Sequence, residues 1–309
     1  MYLFEKGIMF LRNQTLMRMH RRWPGVADFS QLTRVPASVG IDMSNPLHVH
    51  IGDQLFLEPT IRACRDRGIP VVVAPTPSMR QYFAAAGYEI VTPDVVLRQE
   101  LRLAPTWMYD FIPAQERRRR FVYLNTTDHR IRRPVSTHLA ECVIELLGLT
   151  PAPTSLDGRP YLPPADSTIL SGRPGRWIAF NDAVDSGAFR ISSKDVDRLW
   201  TMAASRQRDG YSIVRVGSEG ERKRAPATLP FDHLDVRGQT DVVGLFALIG
   251  RPEIRSTLSF DTAVAHIALA YGKPAAILMR RFSPAHTKFV RQFIIPSYET
   301  AVPSDVTYV

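Results

Sequence analysis

Short apolar runs alternate with helical segments, most of them closed by a glycine, and this rhythm constrains the 309-residue chain more than any other feature. From residue 46, "LHVHI" reads as a strand, "GDQ" as a sharp turn and "LFLEPTIRACRDRG" as a helix stopped at Gly68. A buried strand "IPVVVAP", a helix "SMRQYFAAAG" and a strand "YEIVTP" follow, then a strand "RRFVYLN" and a helix "VSTHLAECVIELLG". Strands separated by helices of about ten to fifteen residues predict βαβ units and parallel sheets.

Residues 149–166, "LTPAPTSLDGRPYLPPAD", interrupt the rhythm with Pro151, Pro153, Pro160, Pro163 and Pro164. Proline at that density sustains neither a helix nor a central strand, so the segment predicts a linker. The alternation then resumes with strands at "RWIAFN", "YSIVRVG", "HLDVRG", "IRSTLSF" and "PAAILM". Helices are expected at "SSKDVDRLWTMAASRQRDG", "DVVGLFALIG" and "DTAVAHIALAYG". The expected organisation is an N-terminal extension over 1–45, an αβα domain over 46–165 and a second αβα domain over 166–309. In the extension, Phe4, Ile8 and Leu11 share a helical face amid basic residues. Such a helix can lie on anionic lipid or pack on the protein.

Composition narrows the classes. At 45% hydrophobic and 22% charged residues, the chain has a globular balance, and no apolar run is long enough to span a bilayer. Cys64 and Cys142 stand in separate apolar contexts, as buried thiols in a reduced cytoplasm would. The net charge of +9 favours an acidic partner, with Arg117 to Arg120, Arg130, Arg132 and Arg133 concentrating it. Nucleic acid is not the expected partner, because aromatic and basic residues are not interleaved as in RNA readers.

The candidate chemistry sits at expected strand ends. In "SFDTAVAHIALAYGKP", Asp261 follows a strand and precedes a helix, and Thr262 and His266 share the helix face near its start. Open α/β sheets bind ligands at this edge, where a helix N-terminus favours anions. A carboxylate there would repel a pyrophosphate, so Asp261 either caps the helix or meets uncharged hydroxyls. Asp53 in "HIGDQLF" occupies the corresponding place in the first domain, as helix cap or general base. Ser186 and Arg190 lie in the loop "FNDAVDSGAFRISS", where an Arg can grip phosphate in bidentate fashion, and Ser192 or Ser193 caps the next helix. Glu219 and Glu221 in "RVGSEGE" could hold a ribose diol. His48 and His50 find no further ligands in sequence, so no metal is expected. Dinucleotide, P-loop and nucleophile-elbow motifs are all absent from the sequence.

Taken together, "LDVRGQTDVVGLFALIGRPEIRSTLSFDTAVAHIALAYGKPAAIL" (234–278) resembles the signature of glycosyltransferase family 9, the heptosyltransferase-like enzymes. "IGDQLFLEPTIRACRDRGIPVVV" is similar to that family's amino-terminal Gly-Asp segment, and "RPVSTHLAECVIELLGL" to its interdomain helix. The resemblance spans roughly 46–285. It implies an α/β chain of the GT-B fold, two Rossmann-like αβα domains facing across a cleft, and inverting transfer without cofactor or obligatory metal. The sugar would move from a nucleotide-diphosphate donor to an anionic cell-surface glycan or glycolipid of the lipopolysaccharide type. A cytoplasmic enzyme in peripheral contact with the inner membrane would suit that acceptor. By motif, Asp53 falls at the base position, and Arg190 matches a basic residue, often Lys, that holds the donor phosphates. Asp261, Thr262 and His266 match the donor-binding helix start; Thr240 falls near the nucleobase and Glu219 or Glu221 near the ribose. Ala263 replaces the family's glycine, a departure that leaves open a non-catalytic nucleotide- or glycan-binding protein on the same fold.

Overall fold

A computed structural model of the chain describes residues 8, 11–12, 15–16, 18, 23–28, 34–46, 49–117, 121–149, 156–184, 191–224, 228–279, 288–289, 292, 294 and 306–308. The chain divides into two compact units: Met1–Tyr161 with Gln292–Glu299, and Leu162–Arg291 with Thr300–Val309. The division at Tyr161 and Leu162 falls inside the proline-dense segment.

The first unit carries a six-stranded sheet in the order β1-β6-β5-β2-β3-β4. Its strands are β1 (Val26–Asp28), β2 (Val39–Asp42), β3 (Val71–Ala74), β4 (Glu89–Ile90), β5 (Leu101–Pro105) and β6 (Phe121–Leu124). Only the edge pair β1/β6 is antiparallel. Val39, Ile41, Val73, Leu101, Leu103, Phe121 and Tyr123 are fully buried, as strands covered on both faces require. Helix α1 (Ile51–Arg65) makes the crossover from β2 to β3, and helix α2 (Val135–Leu146) follows β6.

Two expectations for this unit are corrected. "LHVHI" is not the first strand: Ile51 already opens α1, His50 is its N-cap, and Gly52 lies in its first turn rather than in a loop. The strand that precedes α1 is β2, inside the segment expected as an extension, which also supplies β1. Gly40 explains why β2 is hard to read. A side chain there would meet Gln99 Cγ at 2.8 Å and Val96 Cγ1 at 3.0 Å, so close packing of the 93–96 turn removes a β-forming residue from the pattern. In the segment 1–45, Ile8 and Leu11 are exposed and Leu16 is buried; Phe4 lies outside the described residues. Cys64 and Cys142 are buried free thiols.

The second unit's sheet has the order β12-β11-β10-β7-β8-β9, and every pairing is parallel. Its strands are β7 (Trp177–Asn181), β8 (Ser212–Arg215), β9 (Leu234–Asp235), β10 (Ile254–Phe260), β11 (Ala275–Met279) and β12 (Val306–Tyr308). The crossovers carry α3 (Ser193–Arg208), α4 (Glu219–Arg224), α5 (Val242–Gly250) and α6 (Ala263–Ala270). Ser192 caps α3 with its hydroxyl on the Asp195 N–H, and Asp241 caps α5. Ile178, Phe180, Leu199, Ala203, Ile213, Leu258, Phe260 and Leu278 form the core beneath α3. The strand order is that of a Rossmann sheet.

The end of the first unit is clamped by a buried carboxyl. Glu58, within α1 and fully buried, accepts hydrogen bonds from the Tyr88 hydroxyl (2.9 Å) and the Tyr161 backbone N–H (3.1 Å). Burial pushes its carboxyl above the usual range, against the opposing pull of Arg62. The folded state therefore holds this proton more tightly than the unfolded chain, so the stabilisation is complete below the unfolded value of 4.5 and declines as pH rises. Glu58→Gln, neutral at every pH and short of one acceptor, should cost about 1–3 kcal/mol in acid. In urea unfolding across a pH series, its deficit against the native chain should narrow as pH increases; a widening deficit contradicts the assignment.

Candidate functional site

A parallel sheet gathers its loops and helix N-termini along the carboxyl ends of its strands, and in both units the described residues among the expected site residues fall on that edge. In the first unit, Asp53 is the third residue of α1. Its Oδ2 accepts the His50 backbone N–H at 3.1 Å, which closes a capping box with the N-cap residue. Its Oδ1 accepts the Thr126 hydroxyl at 3.0 Å, two residues beyond the end of β6. The neighbouring Gln54 is fully buried and bonds twice to Thr76 beyond β3, donating from Nε2 to Oγ1 (2.7 Å) and accepting the Thr76 N–H (3.2 Å). The first turn of α1 is thus fastened to the ends of strands on either side of β2. Asp53 is both a cap and a carboxylate held in a fixed direction. Asp42 at the end of β2 is buried, which raises its carboxyl pKa, while the Ser44 N–H and hydroxyl bond to Oδ1.

Among the described residues, three arginines of the basic region of this unit are engaged with its own carboxylates. Arg130 pairs with Asp128 at 2.6 Å and Arg133 with Glu141 at 2.6 Å, while Arg117 lies 3.8 Å from Asp110. Residues 118–120 lie outside the described residues.

In the second unit, the strand order reverses between β7 and β10, the topological switch point of such a sheet. Asn181 at the end of β7 stands in register with Ser259 of β10, so Asp261 emerges beside the chain that leaves β7. Here too an expectation is corrected. Thr262, not Asp261, is the N-cap of α6, and its side chain makes no capping bond. Asp261 lies one residue further out and receives His266 Nε2 at 3.1 Å. His266 is 7% exposed. The His therefore holds the carboxylate from one turn into the helix. Ala263 is the first residue of α6.

Around the ends of β8 and β9, Glu219 and Glu221 lie in α4 rather than in a loop. Glu221 is nearly buried and spent on a cap, its Oε2 accepting the Ser218 N–H (2.6 Å) while its own N–H bonds Ser218 Oγ (3.1 Å). Glu219 pairs with Arg222 at 2.7 Å, which holds its carboxyl below the usual range. The Glu219 side chain also packs on Gly238, where a Cβ would meet Oε2 at 2.4 Å; this brings it to the turn that leads to Thr240. Although burial opposes it, the Arg237 guanidinium (Nη2 to Oδ2, 2.7 Å) holds Asp235 below the usual carboxylate range. Ser186 and Arg190 lie outside the described residues.

The structure thus brings Asp261, Thr262 and His266 together at one helix start and Glu219 with the Thr240 turn at another strand end. Thr126, Gln54, Asp182, Arg215 and Arg237 were not anticipated from sequence. An available signal was the Arg in "YSIVRVG": a charge in a strand covered on both faces demands a partner. Among the described residues, no group of three His, Cys, Asp or Glu side chains could hold a metal ion. Likewise, none of the described helices is long and apolar enough to cross a membrane.

No family profile and no curated protein matches the chain by sequence. Its structure resembles the family 9 glycosyl transferase of Veillonella parvula, with a TM-score of 0.61 at 14% identity over 91% of this chain and 88% of that one. Similarity to the E. coli ADP-heptose LPS heptosyltransferase II gives 0.56 at 13% identity over 88% and 90% of the two chains. The E. coli heptosyltransferase WaaC with ADP-2-deoxy-2-fluoro heptose gives 0.52 at 14% identity over 80% and 90%. At these identities the likeness is one of fold. The chain has the α/β architecture of the GT-B glycosyltransferases, one parallel-sheet unit after the other.

Gly217 reports on the packing of this edge. Its φ is +153°, and a Cβ would meet Glu221 Oε2 at 2.4 Å and Asn181 Nδ2 at 3.2 Å. Gly217→Ala should cost about 1–3 kcal/mol through strain and displacement of the Ser218–Glu221 cap. Thermal unfolding checks this, and an unchanged melting point would show that the edge yields.

Proposed function

We propose that the chain is an inverting glycosyltransferase that moves a sugar from a nucleotide-diphosphate donor to a cell-surface glycan or glycolipid acceptor. The observation that carries the reading is the doubled parallel-sheet fold shared with heptosyltransferases over most of each chain, with the described residues among those picked from sequence on the carboxyl edges of both sheets. In this reading the first unit binds the acceptor and the second binds the donor. Asp53 takes the proton from the acceptor hydroxyl as that oxygen attacks the anomeric carbon. The Thr126 and His50 hydrogen bonds each occupy one of its oxygens and fix the carboxylate, which retains lone pairs for a proton. The backbone N–H groups at the start of α6, with Arg190 from the connection that follows β7 in the sequence, stabilise the departing diphosphate. Asp261, held by His266, serves the sugar hydroxyls, and Glu219 and Thr240 serve the nucleoside. Because one similar structure is named an ADP-heptose LPS heptosyltransferase and another is described with ADP-2-deoxy-2-fluoro heptose, an ADP-sugar is the first donor to test, with heptose the first sugar.

Asp53→Asn keeps the size of the side chain and an oxygen for capping but removes the base. Transfer should fall by about 10²–10⁴-fold with nucleotide binding retained. Near-native turnover in a coupled nucleoside-diphosphate release assay would overturn the base assignment. Arg190→Ala should weaken nucleoside-diphosphate binding by about tenfold or more, a loss of the size of a charge-assisted hydrogen bond; an unchanged dissociation constant by calorimetry would remove Arg190 from the site.

A further inference from the structure

The second unit buries an ion pair that the proposed mechanism does not use. Arg215, the last residue of β8, is fully buried, and Asp182, the first residue beyond β7, is 5% exposed. They meet as a fork on a carboxylate: Nε donates to Oδ1 at 3.0 Å and Nη2 to Oδ2 at 2.8 Å. A third donor arrives from α3, where the Trp200 indole N–H bonds Oδ2 at 2.9 Å. In the sheet, Arg215 lies in register with Phe180 of β7 on one side and Asp235 of β9 on the other.

Stability alone does not account for this arrangement. Taking an Arg and an Asp out of water costs so much that well-packed apolar residues of similar size serve a core as well or better. What the pair supplies instead is direction, because a bidentate fork admits little freedom. Asp182 sits where direction matters most. It follows Asn181, whose strand partner Ser259 is two residues before Asp261, and it begins the connection that carries Ser186 and Arg190 in the sequence. Trp200 belongs to the helix that ends the same connection. One carboxylate therefore ties together the strand before the connection, the helix after it and the neighbouring strand β8.

We infer that Arg215, acting through Asp182, is a positioning residue for the donor diphosphate: it fixes the exit of β7 beside Asp261 at the switch point. The inference rests on the proposed donor site in the second unit. It goes beyond that proposal by assigning a role to side chains that touch no substrate.

The test compares the native chain with the double variant Asp182→Leu/Arg215→Met, which removes both charges together, and with the conservative Arg215→Lys. Three readouts are needed: the melting temperature, the affinities for ADP and for adenosine by calorimetry, and amide exchange in the peptide that carries residues 182–184. A positioning role predicts a double variant that melts at or above the native temperature, binds ADP at least tenfold more weakly, keeps its adenosine affinity and exchanges faster at 182–184. Arg215→Lys, which keeps the charge but loses the fork, should show a smaller loss of the same kind. Equal losses for ADP and adenosine, or native ADP affinity in the double variant, would overturn the inference. Should the native chain bind no ADP, UDP or GDP, the donor reading fails on its own. The role toward a diphosphate falls with it, and the exchange comparison separates the two failures: faster exchange at 182–184 with an undiminished melting temperature shows that the pair still orders the exit of β7, and native exchange shows that it does not.

Discussion

The described side chains of the proposed sites are placed by one constraint, the crossover between parallel strands. A chain that leaves one strand and re-enters its parallel neighbour must travel back along the sheet face, so each crossover helix begins at the carboxyl edge. Both sheets obey this rule around a strand from which the chain departs first one way and then the other, β2 in the first unit and β7 in the second. The edge then collects helix N-termini with unpaired N–H groups and loops free of the sheet ladder. It is the one place in either unit where polar chemistry comes without breaking the sheet.

What differs between the two edges is how the carboxylates are held. Asp53 is locked by a capping box from below and a threonine hydroxyl from the side, so its direction comes from backbone geometry. Asp261 stands outside the N-cap position, which Thr262 occupies without a side-chain capping bond, and leans on His266, a side chain one turn into the helix. In the proposed donor site that displacement would ease the repulsion between Asp261 and a diphosphate at the same helix start, because the carboxylate pairs with an imidazole. Buried Arg215 and Asp182 extend the same logic one layer back, into the sheet itself.

Most of the second unit was legible because its strands are covered on both faces, so they read as uninterrupted apolar runs set off by Gly210, Gly217, Gly272 and proline. The first unit was less legible for reasons that particular residues make clear. "LHVHI" alternates like a half-buried strand, yet His50 is an N-cap and Ile51 a helical residue. The true strand β2 was obscured by Gly40, needed for close packing, and β5 by Arg102, whose charge is met by Glu116 at 3.0 Å only in the fold. Residue type and local pattern were enough to single out Asp53, Asp261 and His266, which the fold puts at helix starts, although the strand expected just before Asp53 is not there. Partners distant in sequence, such as Thr126 for Asp53 or Asp182 for Arg215, were not singled out, because nothing local in the sequence encodes a contact across the sheet.

The central claim is that the second unit takes a nucleoside diphosphate sugar. It is tested most directly by a thermal-shift panel of ADP-, UDP-, GDP- and CMP-sugars on the full chain without added metal, since a ligand that binds the native state raises its melting temperature. The account predicts a concentration-dependent rise with at least one diphosphate sugar and with its nucleoside diphosphate. A melting temperature unmoved by every diphosphate sugar in the panel would contradict it.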